Sequence, residues 1–290
     1  MPGRCPKRWP AKGLGPGSVP RALLETLLAI ARSAAGVILE VYDRPFAVQL
    51  KRAREPVTAA DRRANALICA ALAERFPGIP IVAEESDPGT FRDFRSAPRV
   101  LFVDPLDGTR EFIARNGEFA VMIGLLDGAR AVAGVVHAPV AGMSWVGAPG
   151  TGTWRVEGGG QWVPVRVSPV SDLGRARLVA SRSHRSASLQ RALAALGAAS
   201  VRALGSAGLK GAEVAQGTAE AYVDTGPGTK RWDACAIDAL VTAAGGRVTD
   251  TRGAPIDYRG PDLANRWGLL VTNGLVHDAI LTRRGSSPGS

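Results

Sequence analysis

The ten residues VDPLDGTREF, Val103 to Phe112, decide how the rest of the chain is read. They end the apolar run Val100-Leu101-Phe102-Val103 with two carboxylates, Asp104 and Asp107, separated by Pro105 and Leu106. Such a run reads as a buried strand, and charges do not sit against a core strand without partners. Pro105 has no N–H and pushes Asp104 toward an extended backbone. The two acids then converge across a tight turn, with the Leu106 carbonyl between them as a further hard oxygen. Gly108 lets the backbone come close to a ligand. Thr109 opens the segment Thr109–Ile113, whose free N–H groups favour an anion. Acids for a cation beside amides for an anion suit a phosphate ester.

Outward from this stretch, other acids are placed in the same way. Glu84-Glu85 follow the run Ile81-Val82-Ala83, and Asp233 lies at a helix start in Trp232-Asp233. Thr58-Ala-Ala-Asp61 has the spacing of a capping box at the start of a helix. Several carboxylates at strand ends require a counter-charge. Mg²⁺ supplies one, because it takes oxygen ligands from a few carboxylates and shares its shell with substrate phosphates. Each residue also has a plain reading. Asp-x-x-Asp-Gly is often only a turn, Asp233 reads alone as an N-cap, and Asp61 as the acid of the capping box. Glu84-Glu85 suit a solvated loop, and His184 a surface histidine. Their joint placement at the ends of apolar runs favours the site.

The remaining pattern alternates helix and strand. Leucines and alanines at helical spacing predict helices over residues 21–43 and 57–76. Residues 120–126 and 131–137 flank Asp127-Gly128, which reads as a hairpin. Residues 145–167 are Gly-rich and strand-like. Beyond them come strands at 178–181, 201–204 and 222–224, and helices near 188–196, 208–216 and 234–244. The expected organisation is a disordered basic leader (1–20), an α+β half with the metal site (21–150), a smaller α/β half with substrate contacts (151–284) and a flexible tail (285–290).

Composition excludes several classes. With 290 residues and a hydrophobic fraction of 46%, the chain is globular. The 3 cysteines and 3 histidines share no zinc-ligand spacing. No apolar run approaches the roughly 18 residues of a membrane span, so integral membrane association is not expected. The net charge of +10 is concentrated at the ends, with Arg4, Lys7, Arg8, Lys12 and Arg21 within residues 1–21 and Arg283 and Arg284 near the tail. The body between them is nearly balanced, so no nucleic-acid partner is expected. Arginine outnumbers lysine 31 to 5, read here as a compositional habit.

Taken together, VAEES (82–86), VDPLDGTREF and WDACAIDALVTAAGG (232–246) resemble the inositol monophosphatase-like, metal-dependent phosphatases. PVTAAD (56–61), SRSH (181–184), GSAGLK (205–210) and PGTKRWDACA (227–236) sharpen the resemblance toward 3′(2′),5′-bisphosphate nucleotidases, over roughly residues 21–275. The resemblance implies an α+β fold, a layered αβαβα sandwich with its active site in the cleft between two halves. It implies that Glu84, Asp104, the Leu106 carbonyl, Asp107 and Asp233 hold two or three Mg²⁺ ions. Thr109, oriented by Asp61, would position and deprotonate the attacking water, with Glu84 also among the catalytic residues. The Gly108 and Thr109 amides would bind the scissile phosphate. Ser181, His184, Ser206 and Lys210, together with Asp233, would contact the nucleotide.

The implied reaction is Mg²⁺-dependent hydrolysis of the 3′-phosphate of adenosine 3′,5′-bisphosphate, with 3′-phosphoadenylyl sulfate as a second substrate, linked to sulfate assimilation. Lithium sensitivity and a cytoplasmic location are implied as well. Two positions depart from the relatives. Ser86 stands where another acid is frequent, which touches an extra metal. Asp224-Thr225-Gly226 stands where Arg or Phe is frequent, which touches the distal part of the nucleotide. The alternative on the same scaffold is an inositol or other small phosphomonoester phosphatase. The alternative of another class is an inactive phosphate-sensing module, which would need anion contacts but not the water-activating pair Thr109 and Asp61.

Overall fold

A computed structural model describes residues 19–51, 55–91, 94–184, 186–226 and 228–285. The leader up to residue 18 and the tail from 286, and with them Cys5, lie outside the described residues, as does Pro227. The elements run α1 (Arg21–Tyr42), β1 (Gln49–Leu50), β2 (Pro56–Val57), α2 (Ala59–Arg75), β3 (Ile81–Ala83), β4 (Arg99–Asp107) and α3 (Thr109–Ile113). There follow β5 (Ala120–Asp127), β6 (Arg130–Ala138), β7 (Met143–Ala148), β8 (Gly152–Glu157) and β9 (Trp162–Val165). The last third holds β10 (Arg177–Ser181), α4 (Ala187–Ala195), β11 (Ser200–Leu204), α5 (Ala207–Ala215) and β12 (Ala221–Asp224). The chain then passes through α6 (Arg231–Ala243), β13 (Arg247–Thr249), β14 (Leu269–Thr272) and α7 (His277–Gly285).

Strands β3 to β9 form one seven-stranded sheet in sequence order, antiparallel except for the parallel pair β3–β4. A second sheet has the order β11-β10-β12-β14-β13. β4 is buried on both faces, and its alternation is still readable. Leu101 and Val103 face α1 and α2, while Val100 and Phe102 face the layer of α5 and α6. That layer also packs on Val179, Tyr222 and Val271 of the second sheet. α4 and α7 close the far side with Leu189, Leu193 and Ile280 against Leu178 and Leu270. The result is the αβαβα sandwich.

Three differences from the sequence reading have physical causes. The segment 104–107 does not leave the sheet in a tight turn. It stays in β4 as an irregular end, with Asp104 paired to Met122 and Asp107 to Ala120, and Pro105 tolerated in the bulge. α6 begins at Arg231 rather than at 234, because the Lys230 N–H donates to Asp233 Oδ2 at 2.6 Å and starts the helix three residues earlier. Asp233 therefore sits in the first turn and accepts the N–H of the N-cap residue Lys230, and is not itself the N-cap. Finally, α1 is long and apolar enough to pass for a membrane span by length and composition. Its Leu23, Leu24, Leu27, Ala31, Ala34 and Ile38 are buried in the core, which makes it a core helix.

α6 lies unusually close to the first sheet. Gly124 and Gly134 are cross-strand partners in β5 and β6. A Cβ on Gly134 would lie 2.3 Å from the Ala236 carbonyl oxygen, and one on Gly124 2.7 Å from the Ala236 nitrogen. These two missing side chains let the start of α6, with Asp233, reach the end of β4.

Candidate active site

The ends of β3 and β4, the start of α3, the start of α6 and the loop before α5 open on one cavity of about 360 Å³. Asp104, Asp107 and Asp233 bring carboxylate oxygens within 4.8 Å of one another there. Asp104 and Asp233 are buried, and both carboxyls are pushed well above the usual carboxylate range, first by burial and then by the neighbouring acids. Glu84 stands beside Asp104, and its carboxyl is likewise raised by burial, with Lys51 opposing. Such a cluster has the donor set of a hard cation: oxygens only, several of them anionic, with too little positive charge to balance them. The residues present therefore fit a divalent ion such as Mg²⁺.

The Thr109–Asp61 pair is built by two helix starts. Thr58 caps α2, and its N–H and hydroxyl both donate to Asp61 Oδ2, at 2.8 and 2.7 Å. The other oxygen, Oδ1, accepts from Thr109 Oγ1 at 3.0 Å. Thr109 Oγ1 also lies 3.3 Å from the Leu106 carbonyl. Gly108 caps α3 at φ 98°, a left-handed conformation that glycine adopts freely. A side chain there would also press on the Glu118 carbonyl, 3.1 Å away.

The second wall comes from the C-terminal half. Ser181 Oγ accepts from the His184 N–H at 3.0 Å. Burial, reinforced by Arg110 and Lys210, holds the His184 ring below its ordinary pKa. The Lys210 ammonium is buried, donates to the Ser206 carbonyl at 2.6 Å and stands 4.9 Å from the Tyr222 ring centre. Burial lowers its pKa, against the pull of Asp107, Asp224, Glu111 and Asp233. Ser206 caps α5, and its hydroxyl is directed at Asp107. Eleven of the twelve residues expected from sequence line the cavity, and the twelfth, Asp61, lies directly behind Thr109.

The lining also holds charged residues that were not anticipated as site residues, among them Lys51, Lys230 and Asp224. Lys51, just after β1, pairs with Glu84 Oε1 at 2.9 Å and with Glu85. Glu85 is pushed up to about 6 by burial, with Lys51 opposing. Lys230 lines the mouth, and Asp224 ends β12 in the second wall. A signal for the lysines was available. In a chain with 31 arginines and 5 lysines, the three lysines among the described residues, Lys51, Lys210 and Lys230, all line this cavity. Arginine's rigid fork does not replace a compact ammonium in a crowded site.

Residues 20–287 match the inositol monophosphatase family. The chain is 40% identical over 238 residues to the 3′(2′),5′-bisphosphate nucleotidase CysQ of Escherichia coli K12, covering 81% of this chain and 94% of that protein. It is 39% identical over 252 residues to the CysQ of Salmonella typhimurium, covering 86% and 99%. Among solved structures, CysQ from Bacteroides thetaiotaomicron superposes with a TM-score of 0.73 at 29% identity, covering 87% of this chain and 97% of that one. With the family match over residues 20–287 and about 40% identity to relatives over most of their length, the chain belongs to the inositol monophosphatase family.

Proposed function

We propose that this enzyme removes the 3′-phosphate of adenosine 3′,5′-bisphosphate, yielding AMP and phosphate, with Mg²⁺ as its cofactor and 3′-phosphoadenylyl sulfate as a further substrate. The observation that carries the reading is the convergence of Asp104, Asp107 and Asp233 within 4.8 Å beside a Thr109–Asp61 hydrogen bond. Glu84, Asp104, the Leu106 carbonyl, Asp107 and Asp233 would hold two or three ions. Bound there, the metal supplies a Lewis acid that lowers the pKa of water and offsets charge growing on the phosphoryl oxygens.

The chain's own residues do the rest. Thr58 fixes Asp61 Oδ2, so Oδ1 stays turned to Thr109. Thr109 Oγ1, its proton committed to Asp61, offers a lone pair to the attacking water. The proton of that water passes to Thr109 Oγ1 as the threonine proton moves to Asp61. The Gly108 and Thr109 amides take an oxygen of the scissile phosphate. Ser181, His184 and Lys210 hold the nucleotide from the opposite wall. The substrate is intracellular, which favours a cytoplasmic enzyme.

A second reading rests on Asp224. This acid shares the wall with Lys210 and His184, both of which pull on its charge. A carboxylate there accepts hydrogen bonds from the hydroxyls of a polyol and repels a second phosphate, which suits an inositol phosphate. Phosphate release from adenosine 3′,5′-bisphosphate, inositol 1-phosphate and fructose 1,6-bisphosphate with Mg²⁺ separates the two. The highest kcat/KM is expected on the nucleotide, and preference for inositol 1-phosphate would establish the second reading. Ca²⁺ in place of Mg²⁺ should bind without supporting turnover, because its larger, looser shell misplaces the reacting groups.

A further inference from the structure

The loop entering α5 holds a serine in an unfavourable backbone. Ser206 has φ 54° and ψ 128°, and among the described residues only Arg115 shares a positive φ without being glycine. Glycine would take this conformation at less cost. What serine adds is a hydroxyl, and the proton of that hydroxyl is engaged. It donates to Asp107 Oδ2 and accepts the Leu209 N–H at 3.0 Å. The Gly208 N–H donates to the same oxygen of Asp107 at 2.7 Å. The Ser206 carbonyl in turn accepts the Lys210 ammonium.

A phosphate dianion offers acceptors alone. A hydroxyl whose proton is committed to a carboxylate therefore has none to donate to a substrate phosphate. Asp107 is also unusual among the clustered acids, since it reaches across from β4 to the helix of the other wall. Its Oδ2 takes two donors from the start of α5, the Ser206 hydroxyl and the Gly208 N–H, which makes that oxygen the poorer ligand and would leave Oδ1 for a cation.

We infer that Ser206 is a positioning residue: it orients the Asp107 carboxylate for the divalent cation and ties that carboxylate to the helix carrying Lys210. The inference rests on the reading that Asp107 is a metal ligand. Groups that orient a metal ligand in this way typically contribute about ten- to a hundredfold to metal affinity when they are removed.

The test is direct binding of Mg²⁺ and Mn²⁺, by calorimetry on the full chain without substrate, combined with thermal melting. Ser206→Ala and Ser206→Gly should each weaken the cation dissociation constant about tenfold. Their melting temperatures should diverge, with Ser206→Gly at or above the starting protein because the backbone strain is relieved. A role confined to folding would move melting and affinity together, and such a result overturns the proposal. Should Ser206→Ala fail to fold, Ser206→Gly decides alone. Unchanged cation affinity in the variants, with KM raised on the nucleotide, would make Ser206 a substrate contact instead. A starting protein that binds neither cation would overturn the metal reading and this inference with it. Intact binding with unchanged variants overturns only the inference.

Discussion

The two walls of the cavity solve opposite electrostatic problems. The first, from β3, β4 and the start of α6, gathers Glu84, Asp104, Asp107 and Asp233 with Lys51 as the nearest described cation. Burial raises the carboxyls of Glu84, Asp104 and Asp233, the last two pushed further by neighbouring acids, so this wall has room for an added cation. The second, from β10, α5 and β12, holds the buried Lys210 already satisfied by the Ser206 carbonyl and the Tyr222 face. One wall stores an unmet demand for charge, and the other has met its own. Chemistry is expected where the demand is unmet, and recognition where it is met.

That contrast can be broken at its strongest point first. Asp104→Asn removes a negative ligand from the first wall and should lower kcat on the order of a thousandfold. Phosphate release at saturating Mg²⁺ measures it, and near-normal turnover would remove the metal wall from the mechanism. Next in size is the packing that assembles this wall. Gly134→Ala forces a methyl to 2.3 Å from the Ala236 carbonyl, displaces α6 and with it Asp233, and should destabilise the fold by about 3 kcal/mol. Urea unfolding measures the loss, and Mg²⁺ should stabilise this variant less than it stabilises the starting protein.

The second wall should respond through binding. Lys210→Ala should raise KM for adenosine 3′,5′-bisphosphate about tenfold, the value of one charge-assisted hydrogen bond, and leave kcat less affected. A phosphomonoester with no second phosphate should be far less sensitive. Equal losses on both substrates would show that Lys210 serves the fold.

The smallest effect compares two buried histidines, one in each half of the molecule. His137 in β6 and His277 in α7 are both buried and held down to about 4, by burial first and then by Arg32 and Arg247 respectively. Both are neutral when folded, while the unfolded chain takes up a proton near pH 6.5. The unfolded state thus binds more protons between these values, so the contribution is fully present above pH 6.5 and lost as pH falls toward 4. The histidines lower the melting temperature as pH falls over that window, while the raised carboxyls of Glu85 and Asp238 act in the opposite sense. His277→Asn, which leaves Thr249 and Thr272 in place around the site, should remove one histidine's share, so that the variant gains melting temperature relative to the starting protein as pH falls from 6.5 toward 4, and a difference independent of pH would exclude His277 as a source.

Much of the first wall was legible in advance because its signals are short. Thr58-Ala-Ala-Asp61 announced a capping box, and the box is what turns one Asp61 oxygen toward Thr109. Asp104 and Asp107 were marked by an apolar strand running straight into acids. The second wall was legible only through family resemblance. Ser206 shows why: GSAGLK contains no local hint that its serine is spent on a carboxylate 99 positions away. Lys51 was missed because a lone lysine beside Arg52 has no periodicity, and only the scarcity of lysine across the chain singles it out.

The sequence by itself determined most of the longer helices and strands, the start of α2 and the chemical nature of the donors, because these follow from spacing within a few residues. Periods of 2 and 3.6, a cap and its acid, and a glycine at a left-handed position are all local facts. Only the tertiary structure decided which donors meet. Asp233 reaches Asp104 because Gly124 and Gly134 let α6 lie against the first sheet, and Asp107 is turned by α5 because the helix layer is shared between two sheets. Those distances depend on how layers pack, and packing is a property of surfaces brought together from far apart in the chain.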